Sequence, residues 1–209
     1  MEYTTVQREC SAEFIERRSR FIGHIKPVVS EEEAIAFIEE KRSKYWDATH
    51  NVYAYSLREG NVCRYSDDGE PSGTAGMPVL SVLTKPGITD AVIVVTRYFG
   101  GILLGGGGLV RAYSHGAAIA VEESGLLVMR QCAVCRLECD YSAYGRVAAL
   151  IPEMGGVVDD SQFTDKVELT FHMTADQLAA LQPRLADATC GACQAQTVDE
   201  RFYAFEAEV

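Results

Sequence analysis

The sequence has no apolar run long enough to cross a membrane. Ala91–Val95 is among its longest apolar runs, whereas a membrane helix needs about 20 largely apolar residues in succession. Residues 1–20 are polar and charged and lack the apolar stretch of a targeting signal. From these absences we expect a cytoplasmic protein without a membrane partner.

Basic side chains are also scarce. The 209 residues include 19 Lys and Arg against 30 Asp and Glu, a formal net charge of −11. Residues 131–209 have 5 basic and 13 acidic side chains, whereas residues 1–130 have 14 and 17. An acidic surface repels nucleic-acid phosphates, so any contact with RNA is expected from a local patch in the first part of the chain.

The seven cysteines form no even, closely spaced framework, which favours free thiols in a reducing compartment. Two Cys-x-x-Cys pairs, Cys132 with Cys135 and Cys190 with Cys193, have the spacing of zinc ligands. The predicted strands place these pairs at opposite ends of one ladder, too far apart to share an ion. We therefore expect neither a metal nor another cofactor.

Periodicity and turn signals predict a strand-rich first region that leads into a glycine turn and a helix. Ser30 and Glu33 have the spacing of a capping box, and residues 66–76 are dense in turn formers, which predicts a long loop. The predicted strands are Tyr3–Cys10, Ala12–Arg18, Phe21–Val29, Asn51–Leu57, Val62–Tyr65 and Ala91–Thr96, and the predicted helices follow Ser30, span Met77–Leu83, and run from the glycine turn to Gly125.

The second region has the predicted order strand, helix, strand, strand, helix, strand. The strands are Cys132–Tyr141, Val157–Phe163, Val167–Met173 and Ala192–Phe205, and the helices are Ser142–Met154 and a segment capped by Thr174 and Gln177. Pro183 is expected to kink or shorten the latter helix, because proline has no amide hydrogen. This β-α-β-β-α-β order is that of a ferredoxin-like split sandwich. The fold class is therefore α+β.

The glycine turn, residues 97–108, follows a buried strand and opens a helix. It is not a Walker A motif, because no lysine follows its glycines, and it lacks the third glycine of a dinucleotide fingerprint. Unhindered backbone N–H groups at a helix N-terminus, flanked by two arginines, suit a phosphate or carboxylate. The alternative is that the glycines only allow close packing of strand and helix. The candidate anion- or partner-binding residues are Arg97, Tyr98, Gly100, Gly101, Gly105, Gly106, Gly107, Gly108 and Arg111.

A second set of candidate residues, the loop cluster, lies in the predicted loop and at the start of the predicted strand Asn51–Leu57. Its acidic side chains suit Mg²⁺, or general acid–base work with a histidine. The alternative is a solvated turn, since Asp, Gly and Pro are ordinary turn formers. No Gly-x-Ser-x-Gly elbow is present, and we assign no catalytic residue. The loop cluster comprises His50, Asn51, Asp67, Asp68, Gly69, Glu70, Ser72 and Thr74.

Basic residues near the N-terminus offer another route to RNA. Arg18, Arg20 and Lys26 would form a modest positive surface beside the aromatic residues Tyr98 and Phe99. Such a surface can hold single-stranded RNA by stacking and charge. An ordinary solvated face is an equal alternative, because glutamates interleave with the arginines.

Several sequence blocks together resemble the YigZ/IMPACT family. They are Arg18–Gly23, Ala48–Tyr55, Asp67–Gly76, and the glycine turn with its flanks, Val95–Gly101 and Gly107–Tyr113. The resemblance extends over nearly the whole chain, less sharply after residue 130. Gly106 departs from the Thr or Ala that the family often has in this turn, which predicts a looser loop.

The resemblance implies both a fold and a role. Residues 1–128 would form an IMPACT-type domain similar to domain 2 of ribosomal protein S5 and to domain IV of the translocation factor EF-G. Residues 129–209 would resemble the last, ferredoxin-like domain of that factor. The implied role is that of a translation-linked regulator that contacts RNA, the ribosome or translation-regulator proteins. Eukaryotic relatives displace an initiation-factor kinase from its activator, and the resemblance supplies no catalytic residues.

Two functions follow from these observations. The first is a binding protein that holds a phosphate-rich or protein partner with the glycine turn and the predicted loop. The second is a hydrolase-like or kinase-like enzyme that acts on a small phosphorylated or peptide substrate with the loop cluster. Convergence of the loop cluster with Arg97 and Arg111 in one deep cleft would favour the enzyme. A spread along a shallow surface would favour the binding protein.

Overall fold

The computed structural model describes residues 1–206. The chain divides into two compact units, one built mainly from Tyr3–Val128 and the other from Met129–Phe205 with Met1 and Glu2. Within the described residues there are two five-stranded sheets and five α-helices. The α+β class predicted from the sequence is confirmed.

The elements follow the predicted order, but several ends differ: the first strand ends at Val6 and not at Cys10, the seventh strand begins at Leu126 and not at Cys132, and the last strand begins at Gln196 and not at Ala192. In chain order they are β1 (Glu2–Val6), β2 (Cys10–Glu16), β3 (Ser19–Pro27), α1 (Glu31–Lys44), β4 (His50–Leu57), β5 (Val62–Ser66), α2 (Gly76–Thr84), β6 (Ala91–Tyr98), α3 (Gly106–Ser124), β7 (Leu126–Cys139), α4 (Tyr141–Glu153), β8 (Val157–Phe163), β9 (Val167–Met173), α5 (Ala175–Thr189) and β10 (Gln196–Glu206).

The N-terminal unit is an antiparallel sheet with the strand order β2-β3-β6-β4-β5. Its centre is β6, where every residue from Ala91 to Arg97 is buried. Helices cover both faces, because Val92 and Val94 pack with Phe37 of α1 while Ile93 and Val95 pack with α2 and α3. Burial on both faces explains why β6 is continuously apolar instead of alternating.

Close packing of α3 on the sheet depends on two glycines. A Cβ atom on Gly23 of β3 would lie 2.0 Å from the carbonyl oxygen of Gly116 in α3. Gly125 ends the helix with a φ of 74°, a left-handed conformation that favours glycine. The middle of α3 therefore packs directly against the backbone of β3.

In the C-terminal unit β10 pairs with β7, β7 with β9, and β9 with β8. The elements from β7 to β10 have the predicted β-α-β-β-α-β order. The predicted cap of α5 is present as a capping box, since Thr174 accepts a hydrogen bond from the Gln177 amide and Gln177 accepts one from the Thr174 amide. α5 continues through Pro183 to Thr189, so it does not end early.

The core of the C-terminal unit lies between its sheet and the helices α4 and α5. Cys139 of β7 and Cys193, which follows α5, are both buried in this core. All seven cysteines are free thiols. Across the described part of the chain, no helix combines the length and apolar character needed to span a membrane.

Candidate functional site

The glycine turn and part of the loop cluster border one groove on the N-terminal unit. We call it the glycine groove; it is a cavity of about 380 Å³. Its lining residues are Thr49, His50, Glu70, Pro71, Arg97, Phe99, Leu103, Leu104, Gly105, Gly106 and Leu109. The groove thus joins the end of β6, the start of β4 and the N-terminus of α3.

The first turn of α3 leaves its backbone donors open. Gly105 precedes the helix with a φ of 71°, and no side chain caps it. The first helical hydrogen bond runs from the Leu109 amide to the Gly105 carbonyl, at 2.9 Å. No residue within the described range accepts a hydrogen bond from the amides of Gly106, Gly107 or Gly108. These amides therefore present donors and a partial positive charge.

Arg97, predicted as a flanking cation of the glycine turn, is paired inside the protein. Its side chain is only 6% exposed, and its Nη1 atom lies 2.5 Å from Oε1 of Glu70. Its Nη2 atom donates to Ser19 Oγ at 3.4 Å. The charge of Arg97 is thus offset by Glu70, so it does not offer a free guanidinium to an anion.

Glu70 is the centre of this buried network. Its Oε1 atom also accepts a hydrogen bond from the Tyr113 hydroxyl, at 2.8 Å. Burial raises the pKa of Tyr113, and the charge and hydrogen bond of Glu70 raise it further. Tyr113 therefore remains a hydroxyl donor at any physiological pH, and the network fixes the position of Glu70.

His50 borders the groove, and one of its two ring nitrogens is hydrogen-bonded within the protein. Its Nδ1 atom is 2.7 Å from the carbonyl oxygen of Asp68. A carbonyl can only accept, so Nδ1 carries the hydrogen in this contact. The other nitrogen, Nε2, lies 3.8 Å from Oε1 of Glu70. This nitrogen is the one polar atom of His50 that remains open to the groove.

Asp67 and Asp68 serve the backbone of their own loop. The Asp67 carboxylate accepts hydrogen bonds from the amides of Gly73, Ala75 and Gly76, at 2.9, 3.0 and 2.8 Å, and so caps the start of α2. Burial acts to raise the pKa of Asp67, but these backbone hydrogen bonds outweigh it and lower the pKa. The Asp68 carboxylate accepts from the Asn51 amide and from Arg42. These two carboxylates do not line the groove.

The other members of the loop cluster also have local roles. Asn51 donates to the Tyr45 carbonyl and accepts from Thr96 in the sheet. Thr74 donates to the Pro71 carbonyl, Ser72 is exposed, and Gly69 has a φ of 88°. Over residues 1–206, no group of three or more His, Cys, Asp or Glu side chains is placed to hold a metal ion. The cluster predicted from the sequence therefore divides, and only His50 and Glu70 of it line the groove.

The remaining residues of the glycine turn surround the groove or support it. Tyr98 donates to Asp47 at 2.8 Å, and Gly101 has a φ of 83°. A Cβ atom on Gly100 would lie 2.0 Å from the Arg18 carbonyl oxygen, so only glycine fits against that turn. Arg111 is exposed on the next turn of α3 and lines a different cavity.

Sequence reasoning missed the apolar residues of the glycine turn. Leu103 is 81% exposed and Phe99 is 45% exposed, and both line the groove with the partly buried Leu104. The available signal was the apolar segment Ile102–Leu104 inside a turn, where polar residues are usual. Exposed apolar clusters mark contacts with partners or ligands.

These observations define a class: a two-unit α+β protein with an apolar groove at the N-terminus of a glycine-led helix. The Impact N-terminal domain model matches residues 17–121, and the model of a domain of unknown function (DUF1949) matches residues 137–192. The chain belongs to the IMPACT family.

Individual proteins show the same relationship over nearly the full length. The chain is 35% identical to IMPACT family member YvyE of Bacillus subtilis (strain 168), over 90% of this chain and 88% of that protein. It is 34% identical to IMPACT family member YigZ of Escherichia coli (strain K12), over 88% and 92%. A crystal structure described as that of an hypothetical protein matches with a TM-score of 0.60 and 31% identity, over 96% of this chain and 98% of that one.

Proposed function

We propose that this protein is a translation-linked regulator that binds a segment of a translation-associated protein in the glycine groove. The family resemblance supports the link to translation, because eukaryotic relatives act by protein competition. One observation carries the choice of surface: exposed apolar side chains and the unpartnered amide of Gly106 border the same groove. An apolar side chain of the partner would contact Leu103 and Phe99, and a nearby carboxylate or carbonyl would accept from the α3 amides.

A protein segment suits this groove better than RNA does. The predicted cation inside the groove, Arg97, is neutralised by Glu70. The walls formed by Phe99, Leu103 and Leu104 are apolar, whereas an RNA backbone needs several free cations. The surface is therefore proposed for a protein partner, and binding of RNA is an outcome that the experiment below can report.

The enzyme hypothesis receives less support from the geometry. Both carboxylates at positions 67 and 68 are occupied by backbone amides or by Arg42. Glu70 is occupied by Arg97 and Tyr113. An acid–base group needs to reach a substrate proton, and in this cluster Nε2 of His50 is the atom left open to the groove. We therefore retain a binding function.

The finer domain assignments are also proposals. We infer that an IMPACT-type domain similar to domain 2 of ribosomal protein S5 covers residues 1–128. A second domain similar to the last domain of EF-G would cover residues 129–209. The matched ranges 17–121 and 137–192 are compatible with this division. A translation-linked role also leads us to expect the protein in the cytoplasm.

The test is co-sedimentation of the purified protein with ribosomes and with the factors that high salt releases from them. Leu103→Asp places a charge in the apolar wall and should reduce association at least tenfold. Trp46→Ala is the matched control, because Trp46 is 82% exposed in the same unit but does not line the groove. A photo-crosslinker at position 103 should attach to a protein.

Three results would contradict the proposal. Leu103→Asp and Trp46→Ala could associate as well as the wild type, or both could lose association equally. Alternatively, the crosslinks could form with RNA and disappear after nuclease treatment. This result would show that the partner at position 103 is RNA and not a protein.

A further inference from the structure

We propose that a second cavity of the N-terminal unit binds a phosphate group. This basic pocket has a volume of about 260 Å³ and meets the glycine groove at Leu104, which lines both. Its lining residues are Phe14, Glu16, Arg17, Leu104, Gly108, Arg111, Ala112 and His115. The pocket lies between the β2–β3 turn and the first three turns of α3.

The charge of the basic pocket is positive and poorly compensated. Arg17 and Arg111 contribute two permanent charges, and His115 adds a ring nitrogen that can donate a hydrogen bond. Glu16 is the one carboxylate in the lining, and it lies 3.9 Å from Arg17 in a largely exposed pair. Such a pair contributes little. Arg111 has no ion pair within the described range, so its guanidinium is available.

An unusual turn holds the backbone of Arg17 beside the pocket. Glu16 pairs with Ser19 across the β2–β3 hairpin, which leaves Arg17 and Arg18 as a two-residue turn. Both have left-handed φ angles, 45° and 66°, in a turn that normally takes Asn and Gly. The close approach of Gly100 to the Arg18 carbonyl holds this turn in place. Asn or Gly would form this turn with less backbone strain, so the turn itself does not require arginine at position 17.

The pocket residues of α3 lie on one face of the helix. Gly108, Arg111 and His115 are spaced three and four residues apart, so they share one face of α3. The His115 ring meets the Phe14 ring edge-on, with centroids 4.6 Å apart. Phe14 therefore packs against the imidazole in the lining of the pocket.

This chemistry fits a phosphate monoester or diester. Guanidinium groups bind phosphate oxygens in a forked geometry, and two of them from different elements can hold one tetrahedral group. The pocket is smaller than the roughly 300–1,000 Å³ typical of sites for drug-sized ligands, so it suits a single phosphate-bearing group. The same chemistry occurs in an RNA backbone and in a small phosphorylated molecule.

The experiment titrates the full-length protein with inorganic phosphate and, separately, with a single-stranded oligouridine, using NMR. Phosphate should shift the Gly108 and Ala112 amides and the His115 ring. Arg17→Gln and Arg111→Gln should each weaken binding about tenfold. Arg20→Gln is the control, because Arg20 lies on the same hairpin but is paired with Glu13 and lies outside the pocket.

The two probes separate the possible sources of the phosphate. Tighter binding of the oligonucleotide than of phosphate indicates RNA. In that case the slope of log affinity against log salt concentration should fall by about one in Arg111→Gln, because one phosphate contact is lost. Equal affinities for both probes indicate a small phosphorylated molecule. The proposal is wrong if saturating phosphate leaves Gly108 and His115 unshifted, or if Arg20→Gln weakens binding as much as Arg111→Gln. Because Leu103 does not line this pocket, these outcomes are independent of the partner proposed for the glycine groove.

Discussion

The loop of residues 67–75 and the glycine turn of residues 97–108 both border the glycine groove, but they use their polar groups in opposite ways. In the loop, the Asp67 carboxylate satisfies three backbone amides, and Glu70 is held by Arg97 and Tyr113. In the turn, the amides of Gly106–Gly108 have no acceptor in the described structure, and Leu103 projects into solvent.

The difference teaches how to separate structural from functional turns. Buried polar groups need hydrogen-bond partners, so the carboxylates of acidic residues in a tight loop often accept hydrogen bonds from the backbone of that loop. A group left without a partner at an accessible groove is available to a ligand. The acidic loop is therefore a support for the site, and the glycine turn is the surface that we propose for contact with a partner.

The largest expected effect is on stability, at the buried pair of Glu70 and Arg97. Glu70→Leu leaves the Arg97 guanidinium buried without its counter-ion, and we expect a loss of about 3–5 kcal/mol in the free energy of unfolding. Urea denaturation at neutral pH measures this loss. The double variant Glu70→Leu with Arg97→Met should recover much of it, because no buried charge then remains. A double variant as unstable as the single one would show that the ion pair is not the cause.

The next effect concerns Asp67. Asp67→Ala removes the acceptor of three backbone amides and should lower the free energy of unfolding by about 2–3 kcal/mol. Because the pKa of folded Asp67 is lowered, its contribution is present above the ordinary aspartate range near pH 4 and is lost as the pH falls through the lowered pKa. The difference between wild type and Asp67→Ala should therefore shrink in acid. The exposed Glu59→Ala is the control; a pH-independent difference would contradict this role.

The smallest effect on stability is expected in the glycine turn. A Cβ atom on Gly106 would meet nothing closer than Thr74 Cγ2 at 3.9 Å. Gly106→Ala should therefore raise the free energy of unfolding by up to about 1 kcal/mol, because alanine favours a helix. Its methyl group lines the groove, so ribosome association should fall severalfold. A stability loss above about 1 kcal/mol would indicate that Gly106 serves the fold and not the partner.

Much of the fold was predictable because local signals agreed with tertiary packing. The hairpin strands Val157–Phe163 and Val167–Met173 have the predicted ends, and Gly125 ends α3 as expected. Pro183 was one exception, because the buried residues Leu181 and Leu185 hold the last helix together on both sides of it. Tertiary packing outweighed a local helix breaker there.

The site was predictable as two segments but not in its detail. Sequence placed candidate residues at the glycine turn and the loop, and the two segments do border one groove. It could not show that Arg97 would form a buried ion pair with Glu70, since the two residues lie 27 positions apart and meet only in the fold. It also gave no weight to Leu103, because an exposed leucine becomes informative only when its neighbours are known.

Amide hydrogen exchange on the free protein tests the contrast between loop and turn most directly. The amides of Gly73, Ala75 and Gly76, which donate to Asp67, should exchange at least about a hundredfold more slowly than in an unfolded chain. The amides of Gly106, Gly107 and Gly108 should exchange within about tenfold of the unfolded rate. Strong protection of these three glycines in the absence of a partner, or fast exchange at the Asp67 cap, would contradict the account.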